Sequence, residues 1–128
     1  MFSTLTPESI IGKLFSLYVR AHFFHWQSDT IGKHELLNEL YPKIVEANDT
    51  IAEHLLGLQI PKRFGTVTVE QPGVFSDQSL MSMINDGCTF AEQLSDYAEE
   101  RDLEALANMA ADLRADFTKA RLFTTYKG

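Results

Sequence analysis

The residues of this chain that could do chemistry are concentrated between positions 22 and 54. All four histidines fall in this segment, together with a pair of carboxylates at helical spacing. Imidazole and carboxylate groups are ligands that iron, manganese and zinc accept in proteins. The candidate ligands and the tryptophan beside them are, in chain order, His22, His25, Trp26, His34, Asp49 and Glu53. The sequence therefore predicts a metal site, provided that the fold brings these side chains together.

Four helices are predicted to position these residues. Apolar side chains recur with the helical period of about 3.6 residues, over residues 7–28, 32–56, 77–99 and 102–124. Thr6 and Ser76 are typical helix N-caps, and we expect Asp102 to begin the fourth helix.

The proline- and glycine-rich stretch 59–75 predicts a loop, with at most a short extended piece over 66–69. The other two connections are short. This pattern predicts an all-α fold, a ferritin-like four-helix bundle with one long crossover between helices 2 and 3.

The composition predicts a single domain, residues 1–128, that is long enough to bury its own core. No apolar run approaches the roughly 20 residues of a membrane span, so we expect no membrane association and no signal peptide. The lone Cys88 excludes a disulfide framework and favours a reducing, cytoplasmic compartment. The net charge of −7, from 11 basic and 18 acidic residues, disfavours binding to nucleic acid.

Helix geometry separates the histidines from the carboxylates within one chain. Antiparallel packing of the first two helices sets His25 beside His34. Asp49 and Glu53 share a face of the second helix, but they lie about 22 and 28 Å beyond His34 at about 1.5 Å per residue. Either the two groups are unrelated, or a second chain completes the site.

A second copy of the chain would solve this separation. If two copies of the second helix pack antiparallel about a two-fold axis near residues 41–44, His34 of one copy meets Asp49 or Glu53 of the other. The two-fold axis repeats the contact because such interfaces are self-complementary. The geometry then predicts a homodimer with two intersubunit metal sites.

The motifs of this segment resemble those of the miniferritins, the Dps family of DNA-binding proteins from starved cells. The pattern His22-x-x-His25-Trp26 is similar to the helix-one signature of that family. The second-helix signature is matched in order by His34-Glu35, Leu40-Tyr41 and Asp49-x-x-Ala52-Glu53-x-Leu55. Residues 97–107 are similar to the junction between the last two helices of the family.

The resemblance implies a ferroxidase centre shared by two subunits. Its ligands would be His25 and His34 from one chain with Asp49 and Glu53 from the other, and Trp26 would help to contain oxidising equivalents. The implied activity is oxidation of Fe(II) by peroxide or oxygen, with iron storage as Fe(III) inside a dodecameric homo-oligomer. Other divalent metals such as zinc or manganese suit the same groups.

Three residues depart from the family pattern or bear on it. Asn38 stands where the family usually has an aspartate, and its neutral amide is a poorer iron ligand. Pro42 lies inside the second helix, close to the inferred crossing point. Glu46 lies one turn before Asp49, and we hypothesise that it replaces the missing carboxylate.

Other interpretations remain beside this one. A ferritin-like structural or interaction oligomer with a degenerate, non-oxidising metal site is the main alternative, and Asn38 and Pro42 favour it. DNA compaction without iron chemistry is disfavoured by the charge. His22 is a possible ligand or a structural residue, and His54 is expected on the helix surface.

Overall fold

The computed structural model describes residues 4–127 and the side chains of residues 4–125. The fold is all-α over this range, with α1 at Pro7–Gln27, α2 at Ile31–Gly57, α3 at Asp77–Glu100 and α4 at Glu104–Lys127. The predicted four-helix bundle with one long crossover is therefore confirmed. None of the helices between residues 4 and 127 combines the length and the apolar character that a membrane span requires.

Two of the helices begin at the capping residues that the sequence predicts. The Thr6 hydroxyl accepts a hydrogen bond from the Ser9 amide at 3.1 Å, and the Ser9 hydroxyl accepts one from the Thr6 amide at 2.8 Å. Ser76 and Ser79 form the same reciprocal pair at the start of α3. Each pair satisfies two amide groups that the first turn of a helix leaves without partners.

The fourth helix begins two residues later than the sequence predicts. Asp102 has a φ of +55°, so it lies in the left-handed region and cannot start a right-handed helix. The amide of Leu103 donates to the Ala98 carbonyl, which closes the turn after α3. Asp102 is therefore part of the α3–α4 turn, and α4 starts at Glu104.

The helices form a four-sided bundle. Helix α1 packs against α2 and α3, and α4 packs against the same two helices. Helices α2 and α3 therefore occupy a diagonal, and the chain between them must cross the bundle. Residues 58–76 make this crossing, which explains why this connection is long while the other two are short.

The crossover lies along the outer face of α1. The Glu70 amide donates to the Ser16 hydroxyl at 2.9 Å. A Cβ atom at Gly12 would lie 2.5 Å from the carbonyl oxygen of Thr68, so only glycine allows this close approach of the two backbones. Gly12 and Ser16 therefore allow the crossover to pack closely against α1.

A buried lysine joins the α1–α2 turn to the start of α3. The Lys33 side chain is 9% exposed, and its ammonium group donates to Asp29 and Asp77. These hydrogen bonds, the one to Asp77 first, raise the pKa of Lys33, and the bond from Lys33 lowers the pKa of Asp29. The contact fixes the first turn of α2, which also carries His34.

Candidate metal centre

The His25 and His34 side chains meet where α1 ends and α2 begins. Their ring centroids are 4.0 Å apart, with 25° between the ring planes. His25 Nδ1 lies 3.1 Å from the His34 carbonyl oxygen, and His34 Nδ1 lies 3.1 Å from the His25 carbonyl oxygen. We call this pair the histidine half-site. It confirms that antiparallel packing sets residue 25 beside residue 34.

The reciprocal hydrogen bonds decide which ring nitrogens are free. A carbonyl oxygen only accepts, so each Nδ1 must carry the hydrogen. In a neutral imidazole the other nitrogen, Nε2, then keeps its lone pair. Metal-binding histidines in proteins are commonly oriented in this way, by a hydrogen bond from the nitrogen that does not bind the metal. His25 is buried, whereas His34 is exposed.

His22 lies beside the half-site and contacts three aromatic rings of α1 and α2. It stacks on Tyr41 with a centroid distance of 4.0 Å and an interplanar angle of 6°. Its Nδ1 is 3.0 Å from the Tyr18 hydroxyl, and its ring is 4.4 Å from that of Trp26. Burial, and then the neighbouring His25, lower the pKa of His22, so its neutral form is favoured.

The carboxylates Asp49 and Glu53 lie together near the other end of α2, where both are exposed. A hydrogen bond between them, together with the negative charge of Asp49, raises the pKa of Glu53. A shared proton or a bound cation would relieve this repulsion. We call this pair the carboxylate half-site.

The structure brings each pair together but keeps the pairs apart. Along α2, His34 and Asp49 are separated by about 22 Å of helix. Among the described residues, no three histidine, cysteine, aspartate or glutamate side chains are grouped to hold a metal ion. Within one chain, the two histidines and the two carboxylates are therefore separate pairs.

The other residues singled out in the sequence lie on or beside α2. Asn38 is exposed one turn after His34, and α2 runs without interruption through Pro42. Glu46 borders a groove between α2 and α4, with Asp112 and other residues of α4. His54 is half-buried, so its expected position on the open surface is wrong.

The outer surface of the α1–α2 pair carries large apolar side chains. Phe15 is 42% exposed and Val45 is 43% exposed. Exposed apolar groups on neighbouring helices are typical of an interaction surface. We call the surface that carries Phe15 and Val45 the α1–α2 face.

Sequence reasoning missed the part played by the two tyrosines. Tyr18 and Tyr41 lie 6.2 Å apart between ring centroids, across the α1–α2 contact. The signal was present, because the antiparallel register that pairs residues 25 and 34 also pairs residues 18 and 41. Extending that register by two helical turns would have placed both tyrosines beside His22.

No family model matches the chain. The chain is 48% identical over 50 residues to "Antigen TpF1" of Treponema pallidum (strain Nichols). "Antigen TyF1" of Treponema pallidum subsp. pertenue gives the same identity over the same length. The matched segment is 35% of this chain and spans 28% of the length of each of these relatives. The similarity is therefore local.

Proposed function

We propose that this protein is a Dps-like miniferritin subunit that binds Fe(II) at sites shared between two copies of the chain. The observation that carries the proposal is the histidine half-site. Its two rings are fixed through Nδ1, which leaves both Nε2 atoms able to bind a metal ion. Two imidazoles oriented in this way are suited to binding a metal ion.

The second half of each site comes from the other copy. When two α2 helices pack antiparallel about a two-fold axis, the histidine half-site of one copy meets the carboxylate half-site of the other. The two carboxylates balance the charge of a divalent ion, and the ion replaces the hydrogen bond and the repulsion with Asp49 that raise the pKa of Glu53. The α1–α2 face supplies the apolar surface that such a contact would bury.

Fe(II) is the substrate of the proposed reaction, and peroxide or oxygen is the oxidant. His25, His34, Asp49 and Glu53 bind and orient the ion, and Trp26, which follows His25 in the chain, intercepts oxidising equivalents. The product Fe(III) would be stored in a cytoplasmic cage, a dodecamer by resemblance to the family, as protection against oxidative stress. Light scattering measures whether a dimer or a cage forms.

Anaerobic titration with Fe(II), followed by peroxide, tests the proposal. We expect saturable binding and a rise in Fe(III) absorbance that His25→Ala abolishes. His54→Ala is the matched control, because it removes a histidine of α2 outside both half-sites. Equal Fe(III) formation in the wild type and in His25→Ala would overturn the proposal.

A second candidate function rests on Asn38, the exposed amide one turn after His34. A neutral amide binds iron less well than a carboxylate, so the chain would be a ferritin-like oligomer that binds metal without oxidising it. The Asn38→Asp variant separates the two functions. Fe(II) oxidation that appears only in this variant would support the non-oxidising oligomer.

The net charge of −7 argues against DNA as a partner. A gel-shift experiment at low salt tests this point. Retardation of plasmid DNA by the assembled protein would show that the charge argument is wrong.

A further inference from the structure

His22 lies at the centre of a group of rings that joins α1 to α2. On α1, Tyr18 and Trp26 lie one turn before and one turn after it, and both rings contact it. On α2, the Tyr41 ring stacks on it almost in parallel, with 6° between the planes. Both the face and the edge of the imidazole are therefore engaged by neighbours.

The position of His22 differs from that of the two half-site histidines. His22 Nδ1 pairs with the Tyr18 hydroxyl at 3.0 Å, and its ring centroid lies 6.3 Å from that of His25. Turning the ring toward the half-site would break this hydrogen bond and the parallel stack on Tyr41. Both contacts stabilise the present position of the ring, so they oppose the rotation that metal binding would need.

Trp26 depends on His22 for its placement. Its side chain is 65% exposed, and its ring contacts that of His22 at a centroid distance of 4.4 Å. An exposed side chain samples several rotamers unless a neighbour restricts it. Because the Tyr18 hydrogen bond and the Tyr41 stack hold His22 in place, its ring provides a rigid surface that restricts the indole.

We propose that His22 is a positioning residue, not a metal ligand, and that it holds Trp26 in place beside the histidine half-site. This assignment rests on the proposed function, because it specifies how Trp26 is kept near the ion. The residues that act through His22 are Tyr18, by its hydrogen bond, and Tyr41, by its stack. The same contacts tie α1 to α2 next to the half-site.

Trp26 fluorescence tests the proposal directly, because Trp26 is the single tryptophan of the chain. Acrylamide quenching and emission anisotropy report on the indole, and equilibrium dialysis with Zn²⁺ counts metal ions per chain. The variants are His22→Ala, His22→Phe and, as the matched control, His54→Ala. Circular dichroism confirms that each variant retains its helices.

We expect His22→Ala to increase quenching of Trp26 and to lower its anisotropy, with the number of bound Zn²⁺ ions unchanged. His22→Phe retains a planar ring for the stack, so its quenching should stay close to that of the wild type. Unchanged Trp26 fluorescence in His22→Ala would overturn the positioning role. Loss of a bound Zn²⁺ ion in His22→Ala, as expected for His25→Ala, would show that His22 is a ligand.

The two parts of the experiment separate this inference from the function on which it rests. A wild-type chain that binds no Zn²⁺ would contradict the proposed metal site. The fluorescence measurements would then still decide whether His22 restricts Trp26, since they need no metal.

Discussion

At one end of the α1–α2 pair, His25 and His34 are fixed to each other's backbone, whereas at the other end Asp49 and Glu53 are exposed and contact each other. Two neutral imidazoles can pack at 4.0 Å without electrostatic cost. In the carboxylate pair, the hydrogen bond with Asp49 and then the negative charge of Asp49 raise the pKa of Glu53. The histidine half-site is therefore organised by the fold of one chain, while the two carboxylates oppose each other's negative charge.

The largest expected effect comes from mixing subunits with complementary defects. A variant with His25→Ala and His34→Ala loses one half-site, and a variant with Asp49→Ala and Glu53→Ala loses the other. Neither should bind Zn²⁺ alone. In a mixed dimer one of the two sites is intact, because a two-fold interface pairs each half-site with its counterpart on the other chain. Equilibrium dialysis after unfolding and refolding the mixture should recover binding.

Random pairing makes half of the dimers mixed, each with one of two sites, so the expected recovery is about a quarter of the wild-type capacity. Each variant refolded alone is the control. A mixture that binds no more Zn²⁺ than its components would contradict sharing of the site between chains.

The next largest effect concerns the reciprocal hydrogen bonds. His25→Phe keeps an aromatic ring of similar size but removes the hydrogen bond that His25 Nδ1 donates to the His34 carbonyl oxygen. A hydrogen bond of this kind contributes about 0.5–1.5 kcal/mol. Urea unfolding should show this loss of free energy, whereas Asp49→Asn at the exposed carboxylate half-site should not destabilise the chain. Equal stability of His25→Phe and the wild type would show that the hydrogen bonds contribute little.

A smaller effect is expected at Lys33, which stabilises the histidine end of α2. The pKa of Asp29 is lower in the folded chain than in the unfolded chain, so its pairing with Lys33 stabilises the fold above the ordinary pKa of an aspartate. That contribution is lost as the pH falls through the folded pKa. The raised pKa of Lys33 keeps the ammonium charged up to alkaline pH.

Lys33→Met should therefore change the thermal unfolding midpoint most near neutral pH and least in acid. Thermal unfolding over a pH series measures the difference, with the surface variant Lys62→Met as the control. A difference between Lys33→Met and the wild type that grows in acid would contradict the assigned ion pair.

The smallest effect is expected at the carboxylate half-site without metal. Because the pKa of Glu53 is higher in the folded chain, the folded state binds more protons between the ordinary and the raised pKa. Stability should fall as the pH rises through this window. Glu53→Gln should remove that dependence, and a full pH series of thermal unfolding in chelator measures it. An unchanged pH dependence in Glu53→Gln would show that the two carboxylates do not interact.

The sequence determined the helices and their connections. Helical periodicity located four helices to within a few residues, and Thr6 and Ser76 marked the starts of α1 and α3 because their side chains are suited to capping. The start of α4 was misplaced because Asp102 is a typical capping residue. The left-handed conformation of Asp102 is set by the turn that joins α3 to α4, and the local sequence pattern does not encode this turn.

The same local rules gave part of the candidate site. The spacing of His25, His34, Asp49 and Glu53 was enough to predict two groups at opposite ends of α2, since the rise per residue of a helix is fixed. Only the tertiary structure decided how the rings are held, with Nδ1 of each histidine on the other's carbonyl oxygen and His22 stacked on Tyr41. These contacts depend on the distance and rotation between two packed helices, which side-chain packing sets and sequence spacing does not.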